Sequence, residues 1–199
     1  SQEARNTAKI SWQFQFDRHI YIPHRYWEFT SSRVLTMEYI DGIMLSRRDH
    51  LVDKGYDLKE IAERVTKGML HQIFIEGFFH GDPHPGNLLV RKDGSIAFID
   101  FGMVGRISAD MKEQLSGLII ALMRKNTDGM VRAILKLGLF PEEGDISLLR
   151  ADLDRLRDEY YDIPFSELSM GKALNDLFGV ARHHQIVIPP DLTLLGKSL

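Results

Sequence analysis

Two aspartates and one asparagine in the middle of the chain stand at spacings that suit phosphoryl transfer. Asp82 and Asn87 are five residues apart, and Asp100 begins an Asp-Phe-Gly tripeptide thirteen residues after Asn87. Magnesium-dependent phosphoryl transfer uses one carboxylate near the acceptor oxygen, and it uses another carboxylate and an amide oxygen as metal ligands. The residue types and their order therefore predict a site of this kind.

The polar groups of this segment have different expected roles. We expect the Asp82 carboxylate to accept or orient the proton of the attacking hydroxyl group. Asn87 and Asp100 offer a neutral and a charged oxygen to one or two Mg²⁺ ions that bridge the phosphates of a nucleotide. His80 belongs to the same catalytic loop, with an orienting, hydrogen-bonded role rather than that of a base. Gly102 is expected to free the backbone for the bend that aims Asp100.

The elements around this segment are predicted to hold it rigidly. Apolar residues recur at helical spacing from Leu58 to Phe79, and Gly77 ends that helix. Pro83 and Pro85 exclude a regular helix after it, so residues 82–87 are predicted to form a stiff loop.

Two hairpins and several helices complete the predicted secondary structure. Residues 88–90 and 96–99 are the predicted strands of one hairpin. An earlier hairpin is predicted from His19–Phe29 and Val34–Ile40, and Asp41-Gly42 ends it. Further helices are predicted at 1–17, 108–125, 128–137, 145–161, 169–183 and from 189 onward. The predicted fold class is α+β, mostly α.

Composition and charge narrow the class of protein. The chain has 199 residues, 44% of them hydrophobic and 27% charged, as is typical of a soluble globular domain. The net charge of −3 argues against a surface that coats nucleic acid, and the absence of cysteine excludes disulfides and thiolate metal sites. No apolar run approaches the roughly 18 residues that a membrane-spanning helix needs, and no signal peptide is visible.

Less specific interpretations of the same residues stay open. An aspartate before a proline, as at Asp82, is commonly a turn residue, although its joint spacing with Asn87 and the Asp-Phe-Gly is specific. The alternation of His80, Asp82 and His84 also suits zinc, but the remaining histidines form no recognisable ligand set, which disfavours a zinc site. His183-His184 is expected to be an exposed polar pair with a favourable contact to the helix dipole.

The segment Leu35–Gly42 is interpreted either as a plain strand and turn or as a nucleotide hinge. His80-Gly81-Asp82 and the asparagine five residues later have the spacing of the protein-kinase pattern His-Arg-Asp-x-x-x-x-Asn. If the segment is a hinge, backbone groups of Glu38 and Ile40 would hydrogen-bond adenine. Met37 would then line the back of the pocket.

Together these motifs resemble the UbiB-type atypical protein-kinase-like family. The resemblance rests on the stretches 80–87, 100–105 and 37–42, and it covers nearly the whole chain. It implies a kinase-like fold that binds ATP and Mg²⁺ and acts as an ATPase or as a kinase of small molecules or lipids. Glu3 lies in a segment that looks like the family's αC helix, where it would match the glutamate that pairs with the ATP-contacting lysine.

The resemblance also implies a cellular role, partners and a location. UbiB-type proteins are linked to the biosynthesis of ubiquinone and other prenyl-quinone lipids. The implied partners are a nucleotide, a prenyl-quinone lipid or membrane surface, and quinone-synthesis proteins, with no nucleic acid. The implied location is cytoplasmic and peripheral to a membrane, either the bacterial inner membrane or that of an organelle.

The resemblance further predicts how the chain divides. Residues 1–42 would be a remnant of the N-lobe with the αC helix, the hairpin and the hinge, and residues 43–199 would be the helical C-lobe. The family's lysine, its alanine-rich loop and its Lys-x-Gly-Gln extension would all lie before Ser1. We therefore expect an incomplete N-lobe and only the catalytic half of the site in this chain.

Two other functions stay open at this point. His-Gly-Asp is also frequent in aminoglycoside and choline phosphotransferases, although Met103-Val104-Gly105 and the Met37–Gly42 hinge argue against them. The other alternative is a non-catalytic ATP-sensing module of a quinone-synthesis complex, which the intact Asp82, Asn87 and Asp100 disfavour.

Overall fold

The fold combines helices with small sheets in two compact units. The computed structural model describes residues 1–138, 140–163 and 170–187. The first unit runs from Ser1 to Arg106, and the second begins at Ile107. About 52% of the structure is helical, which confirms the prediction of a mostly α, α+β chain. The helix predicted from residue 189 onward lies outside the described residues.

Helix α1 (Gln2–Gln13) opens the first unit. Its N-cap is Ser1, whose hydroxyl accepts a hydrogen bond from the Ala4 N–H at 3.2 Å. The sequence predicted this helix at 1–17, so its predicted end lies four residues beyond the observed one. A short helix that the sequence pattern did not reveal, α2 (Arg48–Asp53), follows later in the same unit.

Helix α3 (Leu58–Leu70) leads into the predicted catalytic loop. The Asp57 side chain caps its first turn, and the helix continues as a π-helical turn over His71–Glu76. Gly77, with a φ of 65°, ends it in the left-handed conformation that favours glycine. The predicted helix and its end are confirmed, whereas the π turn was not predicted.

The strands before and after this helix form two small sheets. The larger sheet has the strand order β1-β5-β4-β2, and the smaller one pairs β3 with β6. The strands are β1 (Ile20–Tyr21), β2 (Gly42–Met44), β3 (Phe78–His80), β4 (Leu88–Arg91), β5 (Ile96–Phe98) and β6 (Val104–Arg106). Strands β4 and β5 are antiparallel, which confirms the hairpin predicted after the loop.

The earlier hairpin is less regular than the sequence predicted. Antiparallel pairing is limited to an isolated bridge between Arg25 and Met37, flanked by backbone hydrogen bonds on both sides. Residues Trp27–Phe29 form a 3₁₀ turn, and β1 pairs in parallel with β5 instead. Pro23 has no N–H to donate, so it interrupts the first strand between these two pairings.

The second unit is helical in the part of the chain that the structure describes. Helices α4 (Ala109–Met123), α5 (Thr127–Leu137), α6 (Ile146–Glu159) and α7 (Met170–His183) confirm the predicted order. Ser108 and Asp145 cap α4 and α6, as their sequences indicate, whereas Asn126 rather than Asp128 caps α5. The core of this unit includes Leu118, Leu122, Met130, Ile134, Leu149, Leu153, Leu156, Ala173 and Leu177.

Candidate functional site

The β4–β5 hairpin brings the three predicted phosphoryl-transfer residues to one end of the larger sheet. Leu88 pairs with Phe98, and the Ile99 N–H donates to the Asn87 carbonyl at 3.0 Å, so Asp100 follows directly beside Asn87. The Asn87 side-chain amide donates to the Asp82 carbonyl at 3.1 Å. Because the Asn87 NH₂ group is used in this bond, its amide oxygen is the side-chain atom available as a ligand.

His80 is a buried hydrogen-bonding centre between the loop and the hairpin. Its side chain is fully buried, its Nδ1 accepts from the Asp82 N–H at 3.1 Å, and its Nε2 lies 3.1 Å from the Ile99 carbonyl. A neutral ring with the proton on Nε2 makes both bonds. Burial lowers the pKa of His80 below its usual value, against the smaller raising effect of the Ile99 carbonyl.

The geometry of His80 also bears on the zinc alternative. Both of its ring nitrogens already face hydrogen-bonding partners, so the ring has no nitrogen to spare for a metal shared with His84. Among the described residues, the His and Asp side chains close enough for a shared ion are Asp152, His183 and His184 in the second unit. His184 Nε2 lies 2.8 Å from Asp152 Oδ2, so this histidine is paired rather than simply exposed.

The unusual backbone conformation in the Asp-Phe-Gly tripeptide lies at Asp100 and not, as the sequence predicted, at Gly102. Asp100 itself has a φ of 59°, the left-handed region that residues with a side chain seldom adopt, and Gly102 is not among the residues of positive φ. The Gly102 N–H donates to the Asp100 carboxylate at 3.2 Å. Backbone strain of this kind is held in place by surrounding contacts and is often found at active sites.

Phe101 is held by a ring contact with His80 and by a hydrogen bond from Asn6. Its side chain is fully buried, and its ring centroid lies 5.2 Å from that of His80. Its carbonyl accepts a hydrogen bond of 2.9 Å from the side-chain amide of Asn6 on α1. Sequence reasoning did not identify Asn6 as part of the site, although it stands one helical turn after Glu3.

A second buried amide supports the loop from the π turn. Gln72 is fully buried, and its side-chain oxygen accepts the His80 N–H at 2.8 Å. The π turn that contains Gln72 is a rare conformation, frequently found at functional sites. Sequence reasoning missed Gln72, because helical periodicity assumes a regular helix.

A cleft of about 1150 Å³ is lined by the predicted hinge segment and by Ile99 and Asp100 at the end of the β4–β5 hairpin. All four residues predicted to form the nucleotide site line it, together with Asp100. They are Glu3, Met37, Glu38 and Ile40. The cleft is large enough for a nucleotide, because small-molecule sites commonly enclose about 300–1000 Å³.

The hinge contacts of Glu38 are divided between its backbone and its side chain. Its N–H donates to the His24 carbonyl at 2.8 Å, so its own carbonyl is the backbone group left to contact a base. Its carboxylate accepts from the Tyr21 hydroxyl at 2.6 Å and from the His24 N–H at 3.1 Å. The Tyr21 hydrogen bond lowers the pKa of Glu38 and raises that of Tyr21.

The chain also matches known protein families, and its helices can be compared with membrane-spanning ones. None of the helices in the described ranges is long and apolar enough to cross a membrane. The profile of the ABC1 atypical kinase-like domain matches residues 1–134, and that of the UbiB helical domain matches residues 153–199.

Individual relatives agree with these matches. The chain is 30% identical to the Azotobacter vinelandii protein described as probable protein kinase UbiB, over 100% of this chain and 38% of the relative. It is 29% identical to the Arabidopsis thaliana protein ACTIVITY OF BC1 COMPLEX KINASE 7, chloroplastic, over 98% of this chain and 28% of the relative. The chain thus spans about a third of each relative's length.

A solved structure also has a similar fold. It is the Rv3197–erythromycin complex from Mycobacterium tuberculosis, with a TM-score of 0.60 and 22% identity, over 81% of this chain and 41% of that one. This likeness supports the predicted fold. The match to the ABC1 profile, which covers most of the chain, confirms the predicted family: the chain belongs to the ABC1 atypical kinase-like family, and residues 153–199 match the UbiB helical domain.

Proposed function

We propose that this chain provides the hinge and catalytic portion of an atypical kinase or ATPase that uses ATP and Mg²⁺. The observation that carries the proposal is the cleft, which is lined by Met37, Glu38 and Ile40 together with Glu3 and Asp100. In this assignment residues 1–42 supply the αC helix, the hairpin and the hinge. Residues 43–199 are the C-lobe.

The hinge residues would hold the base. The Glu38 carbonyl is the free backbone acceptor for an exocyclic amine, since its N–H is already bonded to His24. Ile40, buried and packed against Leu89 and Ala97, fixes the following backbone groups beside it. Met37 contributes an apolar wall to the same cleft.

The metal end offers ligands of the kind that Mg²⁺ prefers. The Asn87 amide is oriented by its bond to the Asp82 carbonyl, so its oxygen and the Asp100 carboxylate form an all-oxygen pair. Bound there, Mg²⁺ would neutralise charge on the nucleotide phosphates. The half-exposed Asp82 carboxylate would accept or orient the proton of the attacking group, and His80 would hold the Asp82 backbone.

We further propose that the activity supports prenyl-quinone lipid biosynthesis, on a membrane-peripheral protein that contacts quinone-synthesis proteins. Membership of the ABC1 atypical kinase-like family and the match of residues 153–199 to the UbiB helical domain support this role. To test it, the gene is expressed in a bacterial strain that lacks its own UbiB-type gene, and quinone content is measured. Restoration by the wild type and not by Asp100→Asn is expected. Equal restoration by both would favour a non-catalytic module.

Nucleotide binding is tested by thermal unfolding of the chain with and without Mg²⁺–ATP. At about 100 times its dissociation constant a ligand stabilises a protein by about 2.7 kcal/mol, which corresponds to a rise in Tm of about 5–10 °C for a chain of this size. We expect Asp100→Asn to lose the part of this shift that depends on magnesium. ATP with EDTA should shift both proteins equally.

Asp53→Asn is the matched control, because it makes the same chemical change on an exposed residue outside the cleft. It should keep the full shift. Asp82→Asn should keep the shift too, but it should lower the rate of ATP hydrolysis, because Asp82 acts on the proton rather than on the metal. An Asp100→Asn protein that binds Mg²⁺–ATP as tightly as the wild type would refute the assignment.

A further inference from the structure

Asn6 connects helix α1 to the metal-binding tripeptide through a single buried hydrogen bond. Its side chain is only 4% exposed, and its Nδ2 donates to the carbonyl of Phe101 at 2.9 Å, across 95 residues of sequence. A buried carbonyl without a partner costs about 1–3 kcal/mol. The Asn6 amide therefore satisfies a group that the fold of the tripeptide has removed from water.

Neighbouring side chains on α1 orient this amide. The Gln2 Nε2 donates to Asn6 Oδ1 at 3.1 Å, and the Arg5 guanidinium donates in turn to Gln2 Oε1 at 2.8 Å. Because Oδ1 is occupied as an acceptor, the NH₂ of Asn6 is directed toward the Phe101 carbonyl. The three side chains form one directed chain of hydrogen bonds that ends at the tripeptide.

The position of Asp100 depends on what holds Phe101. Asp100 has a left-handed backbone, which needs surrounding contacts to persist. The next residue supplies two of them: the Phe101 ring packs on His80, and the Phe101 carbonyl is bonded to Asn6. Glu3, one turn before Asn6 on the same helix, lines the nucleotide cleft.

We propose that Asn6 is a positioning residue, which sets the placement of the Asp100 carboxylate and makes the metal affinity of the nucleotide site depend on helix α1. The proposal rests on the function proposed above. Asn6 itself lies outside the cleft lining and acts only through Phe101. Its loss should therefore weaken binding of the metal and leave binding of the bare nucleotide unchanged.

The test measures two affinities in Asn6→Leu, which keeps the side-chain size and removes the donor. Mn²⁺ binding in the presence of saturating ATP is followed by electron paramagnetic resonance, and ATP binding in EDTA is followed by calorimetry. We expect the Mn²⁺ dissociation constant to rise about 10–100-fold, as for other residues that orient a ligand. The ATP dissociation constant in EDTA should match that of the wild type.

Gln13→Leu is the matched control. Gln13 is also an α1 amide that donates to a backbone carbonyl, that of Phe78 at 3.0 Å, but it lies away from the tripeptide. It should leave Mn²⁺ affinity unchanged. A Gln13→Leu effect as large as that of Asn6→Leu, or wild-type Mn²⁺ affinity in Asn6→Leu, would overturn the proposal. If wild-type chain with ATP fails to bind Mn²⁺, the proposed function itself is wrong.

A measurement on the wild type covers the case in which Asn6→Leu does not fold. If α1 and Asp100 are coupled through Asn6, Mg²⁺–ATP must slow hydrogen exchange of the α1 amides more than ATP with EDTA does, because coupling between sites is reciprocal. Equal exchange of α1 under the two conditions, with slower exchange at residues 99–102 in Mg²⁺–ATP, would overturn the proposal.

Discussion

At the scale of single residues, the His80 ring connects the catalytic loop to the β4–β5 hairpin, because each of its two nitrogens has a hydrogen-bonding partner. Its Nδ1 receives the Asp82 N–H, and its Nε2 is paired with the Ile99 carbonyl. Only the neutral ring can accept at Nδ1, so protonation would break the bond to Asp82. Burial lowers the pKa of His80, which keeps the ring neutral in the folded protein.

This pKa shift predicts a pH dependence of stability. A histidine whose pKa is lower in the folded than in the unfolded state contributes its full stability above the unfolded pKa of 6.5. The contribution is lost as the pH falls through that value toward the folded pKa, because the unfolded chain then binds more protons. We expect urea unfolding to show a falling free energy below about pH 6.5.

His80→Gln should flatten this pH dependence as well as lower stability at neutral pH by about 1–3 kcal/mol, since buried partners are left unsatisfied. The comparison is between wild type and variant at each pH, so the other histidines contribute equally to both. A variant with the same slope as the wild type would show that His80 does not titrate as its burial demands.

At the scale of secondary structure, the sequence predicts what is local and misses what is distant. The β4–β5 hairpin and the stiff loop before it follow from apolar runs, prolines and a turn within 20 residues. The pairing of β3 with β6 joins strands of three residues each, too short to show a period, so only the folded chain reveals it.

In the candidate site, too, the residues close in sequence could be predicted and the distant ones could not. The residue types and spacings of Asp82, Asn87 and Asp100 were enough to predict that they lie together, because one loop and one hairpin connect them. Asn6 and Gln72 could not be predicted, because an amide on a helix gives no sequence sign of a carbonyl partner elsewhere in the chain.

The β3–β6 pairing makes a sharp prediction for Gly105. Gly105 stands opposite Phe79, and a Cβ added to it would lie 2.1 Å from the fully buried Phe79 ring. Gly105→Ala must displace this ring, so we expect it to lower the free energy of unfolding by about 1–3 kcal/mol, as core overpacking does. Chemical denaturation measures the change.

The same substitution at Gly117 should act in the opposite direction. Gly117 lies exposed inside α4, and its added Cβ would meet nothing within 4 Å. Alanine is the better helix former there by about 0.8–1.0 kcal/mol, so Gly117→Ala should raise stability. If both variants changed stability alike, the space around Gly105 would be other than the structure has it.

At the scale of the whole molecule, the family profiles and the structural units divide the chain at different points. The ABC1 atypical kinase-like profile extends to residue 134, whereas the first compact unit ends at Arg106. Helices α4 and α5 share one apolar core with α6 and α7, through residues such as Leu118, Met130 and Leu153. Every residue that lines the proposed nucleotide cleft belongs to the first unit.

This division predicts that stability and nucleotide binding can be changed separately. Leu153 is fully buried in the core of the second unit, so Leu153→Ala should destabilise that unit by about 2–5 kcal/mol. Leu148→Ala, on an exposed position of the same helix, should change stability by less than about 0.5 kcal/mol. Hydrogen exchange resolved along the chain distinguishes the two units.

Nucleotide affinity provides the second half of this prediction. Under native conditions both leucine variants should bind Mg²⁺–ATP with the wild-type dissociation constant in a calorimetric titration, because neither residue lines the cleft. Asp100→Asn serves as the opposite case, with binding weakened and the core of the second unit intact. If Leu153→Ala weakened Mg²⁺–ATP binding as strongly as Asp100→Asn does, the nucleotide site would need the second unit for its formation. In that case the first unit alone would not be sufficient to bind the nucleotide.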